Sequence, residues 1–272
     1  MLRGPVALLF AEDGADVGAT VAHHLGLGFR QVLLLRPEGL GPTAETDVPT
    51  VAEINYDFSL RDAIIAALNR VIAASPPSTW LYWGFNAEYL FYPFCETRQI
   101  GEMLAFHAEE RRDAMIAHVV DLYAPDLATS PDGVDRDGAL FDRTGYYASQ
   151  RHRDGLALAR QCDIFGGLRW RFEEHIPWAR RRLDRVALLR TRPGLMMRPD
   201  FTLNVEEMNT LCCPWHRNLT AAVASFRAAK ALRVNPAPRE AIGDFRWSGS
   251  HRFEWTSRQL MELGFMEPGQ WF

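Results

Sequence analysis

Val6-Ala7-Leu8-Leu9-Phe10, a helical stretch from Gly14 to Leu25, and Gln31-Val32-Leu33-Leu34-Leu35 open the chain and decide its fold. The two five-residue apolar runs have the length and composition of buried strands. Between them Val17, Val21, His24 and Leu25 recur at helical spacing, and Gly26 and Gly28 supply a stop. Strand, helix, strand in about thirty residues is a β-α-β unit, which implies a parallel sheet covered by helices.

The same alternation continues outward. A Gly- and Pro-containing loop from Pro37 to Pro49 leads to a short strand near Val51 and to a helix from Ser59, its expected cap, to Ala74. Ile64, Ile65, Leu68 and Ile72 form that helix's buried stripe, and Ser75-Pro76-Pro77-Ser78 breaks it before the strand Thr79-Trp80-Leu81-Tyr82-Trp83. A helix over 98–112, strands over 115–122 and 186–189, and helices over 219–232 and 256–263 follow. Residues 125–155, with Pro131-Asp132-Gly133 and many Asp and Arg, read as a mobile surface loop or lid. The expected class is α/β, in one domain over residues 1–272.

Composition narrows the function classes. The 272 residues are 47% hydrophobic, enough for a sizeable core, and a formal charge of −4 gives no global field for nucleic acid. The four cysteines Cys95, Cys162, Cys212 and Cys213, two of them adjacent, do not suggest a disulfide framework. No apolar run approaches the roughly 20 residues of a spanning helix, and acidic Glu12 and Asp13 follow the first apolar run too soon for a signal peptide. A soluble cytoplasmic protein with no transmembrane segment is expected, with peripheral membrane contact left open.

In open α/β sheets ligands sit beyond the carboxyl ends of the strands, so loops after Phe10, Leu35 and Trp83 should share one crevice. Glu12 there can accept hydrogen bonds from a base or ribose, or remain a solvated carboxylate; Asp13 is expected as a helix N-cap. Asp121 ends a strand, where it can orient an acceptor or close a turn. His216, in Cys212-Cys213-Pro214-Trp215-His216, has superficially ligand-like spacing, but zinc needs about four such ligands and no second cluster is visible. The aromatics Tyr82, Trp83, Phe85, Tyr89, Phe91, Tyr92 and Phe94 are expected mainly to pack, Arg180-Arg181-Arg182 to be solvated, and His23 and His24 to pack or meet solvent.

Taken in order, Ala11-Glu12-Asp13, His23 to Phe29, Trp80 to Leu90, Asp121-Leu122-Tyr123, Gly166-Gly167 ahead of Arg169 and Arg171, Asp184 to Arg190 and His216 resemble the family 2-type glycosyltransferases of GT-A fold. The likeness spans most of residues 5–220. It implies a GT-A-like, mostly parallel central sheet flanked by helices and transfer of a sugar, hexosyl by class, from a nucleotide-sugar to a glycan or other acceptor. It further implies Glu88 and Asp121 as catalytic residues and Glu12, Asn86, Gly166, Gly167 and His216 around the nucleotide-sugar.

The family's Asp-x-Asp, which holds Mn²⁺ or Mg²⁺ on the donor diphosphate, corresponds here to Phe85-Asn86-Ala87 followed by Glu88. Phe85 and Ala87 cannot ligate a metal, so no cofactor is assigned. The turn after the second strand departs as well, being Arg36-Pro37-Glu38-Gly39-Leu40-Gly41. Two readings follow: transfer without a metal, with Glu88 as base and Arg or Lys charges on the leaving group, or a catalytically inactive protein that binds a glycan, nucleotide or protein partner. Glu88 paired structurally with Arg169 or Arg171 belongs to the second. Other nucleotide chemistries lack a G-x-G-x-x-G or Walker-type loop.

Overall fold

The computed structural model describes Leu2 and residues 4–41, 44–214 and 216–271. The opening unit is β1 (Val6–Phe10), α1 (Val17–Gly26) and β2 (Gln31–Arg36), followed by β3 (Val51–Asn55), α2 (Ala63–Ala74) and β4 (Trp80–Phe85). β1 pairs in parallel with β2 on one side and β4 on the other, and β2 with β3. Side chains alternate across the pleat. Val6, Leu8 and Phe10 face Ala67, Leu68 and Ile72 of α2, whereas Ala7 and Leu9 join Val17 and Val21 of α1. Burial on both faces is why these strands read as unbroken apolar runs rather than alternating ones.

Past β4 come β5 (Glu88–Phe91), α3 (Ile100–Glu109) and β6 (Ala114–Tyr123). α3 opens with a capping box between Gln99 and Glu102. The residues at 125–155, expected as a loop, instead contain β7 (Leu140–Asp142) and β8 (Tyr147–Arg153). Phe141 of β7 is fully buried opposite Leu122. β8 forms a hairpin with β9 (Leu156–Phe165) through Asp154-Gly155, whose φ values of 51° and 79° suit a tight two-residue hairpin turn. A buried Arg151–Asp184 ion pair ties the hairpin to the sheet.

After α4 (Gly167–Arg171), β10 (Asp184–Arg190) runs antiparallel between β4 and β6. Residues 219–232, expected as one helix, divide into β11 (Ala221–Ser225) and α5 (Arg227–Val234). Ala221-Ala222-Val223-Ala224-Ser225 lies buried between β6, parallel to it, and β5, antiparallel to it. Long-range pairing there overrides the helical preference of alanine. α6 (Pro236–Ala241), β12 (Ser250–Arg252) and α7 (Ser257–Glu262) complete the chain.

The result is an α/β fold on a curled, mostly parallel central sheet with order β12-β7-β6-β10-β4-β1-β2-β3 and with β11 and β5 beside β6. Helix starts differ from expectation by a few residues: α1 and α2 begin after Asp16 and Asp62 rather than at Asp13 and Ser59. The expected aromatic packing is seen, with Tyr82, Trp83, Phe85, Tyr89, Phe91 and Tyr92 all buried. His24 is buried against Tyr82, and the His23 ring nitrogen meets the Leu90 carbonyl oxygen at 2.7 Å. All four cysteines are free, and no described helix is long and apolar enough to cross a membrane.

Candidate functional site

Parallel pairing brings the carboxyl ends of β1, β4, β6 and β11 to one end of the sheet. A cleft of about 510 Å³ opens there, between Glu12 and Asp13 after β1, the segment from Arg169 to Arg180, and α5 with its continuation to Asn235 and Pro238. That volume lies within the roughly 300–1,000 Å³ of small-molecule sites. Four cationic side chains line it, Arg169, Arg180, Arg227 and Lys230, against two carboxylates, Glu12 and Asp13.

Phe85-Asn86-Ala87-Glu88 contacts the lining residues Glu12, Asp13, Arg227 and Lys230. Asn86 is locked by three hydrogen bonds: its Oδ1 accepts from the Glu12 N–H at 3.0 Å, and its Nδ2 donates to Asp13 Oδ1 at 2.6 Å and to the Ala15 carbonyl at 2.8 Å. The amide thus fixes the chain after β1 to the end of β4. Ala87 turns the backbone with φ 57°, and its N–H donates to the Thr20 hydroxyl.

Glu88 is 1% exposed, enclosed by Arg185, Ser225 and the Phe85 backbone. Its Oε2 accepts from Arg185 at 2.6 Å and from the Phe85 N–H at 3.0 Å, and its Oε1 accepts from Arg185 at 3.3 Å and from the Ser225 hydroxyl at 2.9 Å. Its expected partners were Arg169 or Arg171; β10 supplies Arg185 instead, while Arg169 and Arg171 pair with Asp121 and Asp142. Burial pushes the Glu88 carboxyl up, but Arg185, helped by Arg227 and the Phe85 N–H, holds the group below its ordinary range.

Strand register places Asp121, Ser225 and Glu88 in one row across β6, β11 and β5. Asp121 is fully buried and accepts from Arg169 Nε at 3.1 and 3.2 Å. Burial, only partly opposed by Arg169, lifts this carboxyl to about 6. Gly166 and Gly167 begin α4 beside it with φ 147° and 59°. A Cβ on Gly166 would meet the Gly145 carbonyl oxygen at 2.6 Å, and one on Gly167 would stand 3.5 Å from Asp121 Oδ2. Only glycine brings the chain this close.

Above Phe85, Arg227 lies with its guanidinium carbon 3.6 Å from the ring centroid and grips Glu12 through two hydrogen bonds of 2.7 Å. One turn on, Lys230 donates to both Asp13 oxygens at 3.0 Å. Burial raises and Lys230 lowers the Asp13 titration, which falls below its ordinary range.

These side chains do not fit the divalent metal that the resemblance implies: a cation covers Phe85, Ala87 has no donor, the Asn86 oxygen is taken and Glu88 is enclosed. Among the described residues no group of three or more His, Cys, Asp or Glu is arranged to hold a metal ion. The fold thus gathers Glu12, Asn86, Glu88, Asp121, Gly166 and Gly167 at one end. It does not bring His216 to them. That histidine lies 3.4 Å from Glu110, before β6 begins, at the sheet's other end.

No family model and no curated protein matches this sequence.

Sequence reasoning missed Arg227 and Lys230, which sit in the stretch expected as the middle of a longer helix. Arg-x-x-Lys at i and i+3 puts both cations on one helix face, and that spacing was the available signal. Arg180, from the run expected to be solvated, is exposed at the cleft rim.

Proposed function

We propose that the chain is a GT-A-like protein that takes a nucleotide-sugar in the cleft at the carboxyl ends of β1, β4, β6 and β11, without a metal. One observation carries this reading: Glu12, tied down by Asn86, and Arg169, paired with Asp121, line a nucleotide-sized cleft in which cations outnumber carboxylates. Glu12 stands where a ribose or base would be met, and the glycines let the chain pack closely against Tyr146 and Asp121.

For sugar transfer, the acceptor hydroxyl would give its proton to a carboxylate as its oxygen bonds to the anomeric carbon and the nucleotide diphosphate departs with the bonding pair. Asp121, lifted to about 6, suits that proton better than Glu88, which Arg185 holds as an anion. Arg169 would have to yield to admit the acceptor.

The enclosure of Glu88 favours a second reading, a binding protein without turnover. The two separate on one experiment: a panel of nucleotide-sugars is tested for transfer and hydrolysis, with thermal stabilisation by UDP followed in EDTA and in Mn²⁺. Stabilisation with turnover supports the transferase, and stabilisation alone supports the binder. Neither stabilisation nor turnover with any nucleotide-sugar would sink both.

A further inference from the structure

Three of the cleft's four cations have partners already, and the manner of that pairing says what it can bind. Lys230 is sequestered, its side chain 6% exposed, whereas its partner Asp13 is 43% exposed. Arg227, its side chain 26% exposed against 33% for Glu12, is held over the buried Phe85 ring at 3.6 Å. The protein fixes both cations, Lys230 by burial and Arg227 by the ring beneath it, and leaves both carboxylates partly in water, where they can be rehydrated at little cost. Arg169 is neutralised by Asp121. Arg180, exposed at the rim, has no ion pair among the described residues, so the cleft keeps one positive charge beyond its internal pairs.

We propose that this is a metal-free diphosphate site, in which Arg227 and Lys230 exchange the Glu12 and Asp13 carboxylates for phosphate oxygens and Arg180 closes over the second phosphate. It rests on the nucleotide-sugar reading for its biological ligand but not for its chemistry. A guanidinium accepts carboxylate and phosphate in the same two-point geometry, and a diphosphate brings more charge and more oxygens than either carboxylate it displaces. The Phe85 ring holds that guanidinium in place before the ligand arrives, so little ordering remains to be done on binding. Glu12 and Asp13 act as built-in competitors, keeping the cations ordered in the empty site and setting an affinity threshold for anions.

Calorimetry on the full chain in EDTA, with inorganic pyrophosphate as probe, tests this directly. Arg227→Gln and Lys230→Gln should each weaken binding about tenfold or more, the worth of a charge-assisted hydrogen bond. Glu12→Gln, which removes a competitor, should tighten it several-fold, and Arg227→Lys, which keeps charge and fold but loses the fork, should fall between wild type and Arg227→Gln. Circular dichroism of each variant separates lost binding from lost folding. Absence of pyrophosphate binding in EDTA, binding only with Mn²⁺, or equal affinity in wild type, Arg227→Gln and Glu12→Gln would overturn the proposal. Pyrophosphate binding that follows these variants while no nucleotide-sugar binds would leave the anion site standing and remove the nucleotide-sugar reading.

Discussion

Arg185→Met tests whether Glu88 is held as an anion chiefly by Arg185. Glu88 is 1% exposed and the Arg185 side chain 8% exposed, so the substitution strands a carboxylate where water cannot reach it. Losing one partner of such a pair costs about 3–5 kcal/mol, and methionine keeps most of the packing against Trp83, which Arg185 covers at 4.6 Å in the native protein. The pH dependence carries the sharper information. In the native chain the Glu88 carboxyl titrates below its ordinary 4.5, so its contribution is complete above that value and disappears as pH falls through the lower folded value. Arg185→Met reverses the sign: burial, the largest influence on Glu88, loses its main opponent and lifts the carboxyl, so the variant weakens as pH rises past 4.5. Urea denaturation should show the gap between wild type and variant at about pH 7.5 exceeding that at about pH 4 by at least ~1 kcal/mol. Adding Glu88→Gln should recover about 1–3 kcal/mol near neutral pH, because no buried charge is then left alone. A gap independent of pH, or a double variant no more stable than Arg185→Met, would refute the reasoning.

Asp121 should behave in the opposite sense to Glu88. Its folded value of about 6 lies above the ordinary 3.8, so wild-type stability should fall as pH rises between those values. At ~1.4 kcal/mol per unit the loss is on the order of 3 kcal/mol, and Asp121→Asn should flatten that part of the urea-stability profile; an unchanged slope would count against it. Gly166→Ala should destabilise more than Gly167→Ala, because its Cβ would meet backbone at 2.6 Å whereas the latter first meets the Tyr146 hydroxyl at 3.3 Å. The Gly167 change should cost about 1–2 kcal/mol for a positive-φ alanine, and chemical denaturation gives the order. His216→Ala should leave pyrophosphate and UDP affinity unchanged, since it lies at the far end of the sheet; calorimetry showing a several-fold loss would mean the cleft reaches further than drawn.

The parts of this fold that could be read from sequence are those whose fate is local. Val6–Phe10 and Gln31–Arg36 are apolar enough to be strands wherever they pair, and α2 carries its own stripe in Leu68 and Ile72. Ala221–Ser225 is different. Nothing in five small residues says strand until β5 and β6 stand on either side. The stretch at 125–155 was misread for a related reason: its polar composition is real, but Phe141 is committed by Leu122, nearly twenty residues upstream, and Asp154-Gly155 passed unnoticed as a hairpin turn. The candidate site divides the same way. Glu12 and Asp121 could be singled out because carboxyl ends of strands point to a crevice, whereas Glu88's partner and Phe85's cover come from β10 and α5, far along the chain.

That long-range pairing changes what Phe85-Asn86-Ala87-Glu88 means. Read through the glycosyltransferase resemblance alone, the segment would be a metal site without its ligands. With α5 in place it is a different device: the ring at 85 seats a guanidinium, the amide at 86 ties the chain after β1 to the end of β4, and the carboxylate at 88 neutralises Arg185 beneath them. Placing an aspartate at 85 would therefore not build a metal centre. It would place a carboxylate against Arg227, already paired with Glu12, and the ion pair formed there would exclude the metal it was meant to bind. Phe85→Asp should accordingly gain no Mn²⁺ affinity by calorimetry, and only together with Arg227→Ala would an oxygen ligand at 85 be free to meet a cation.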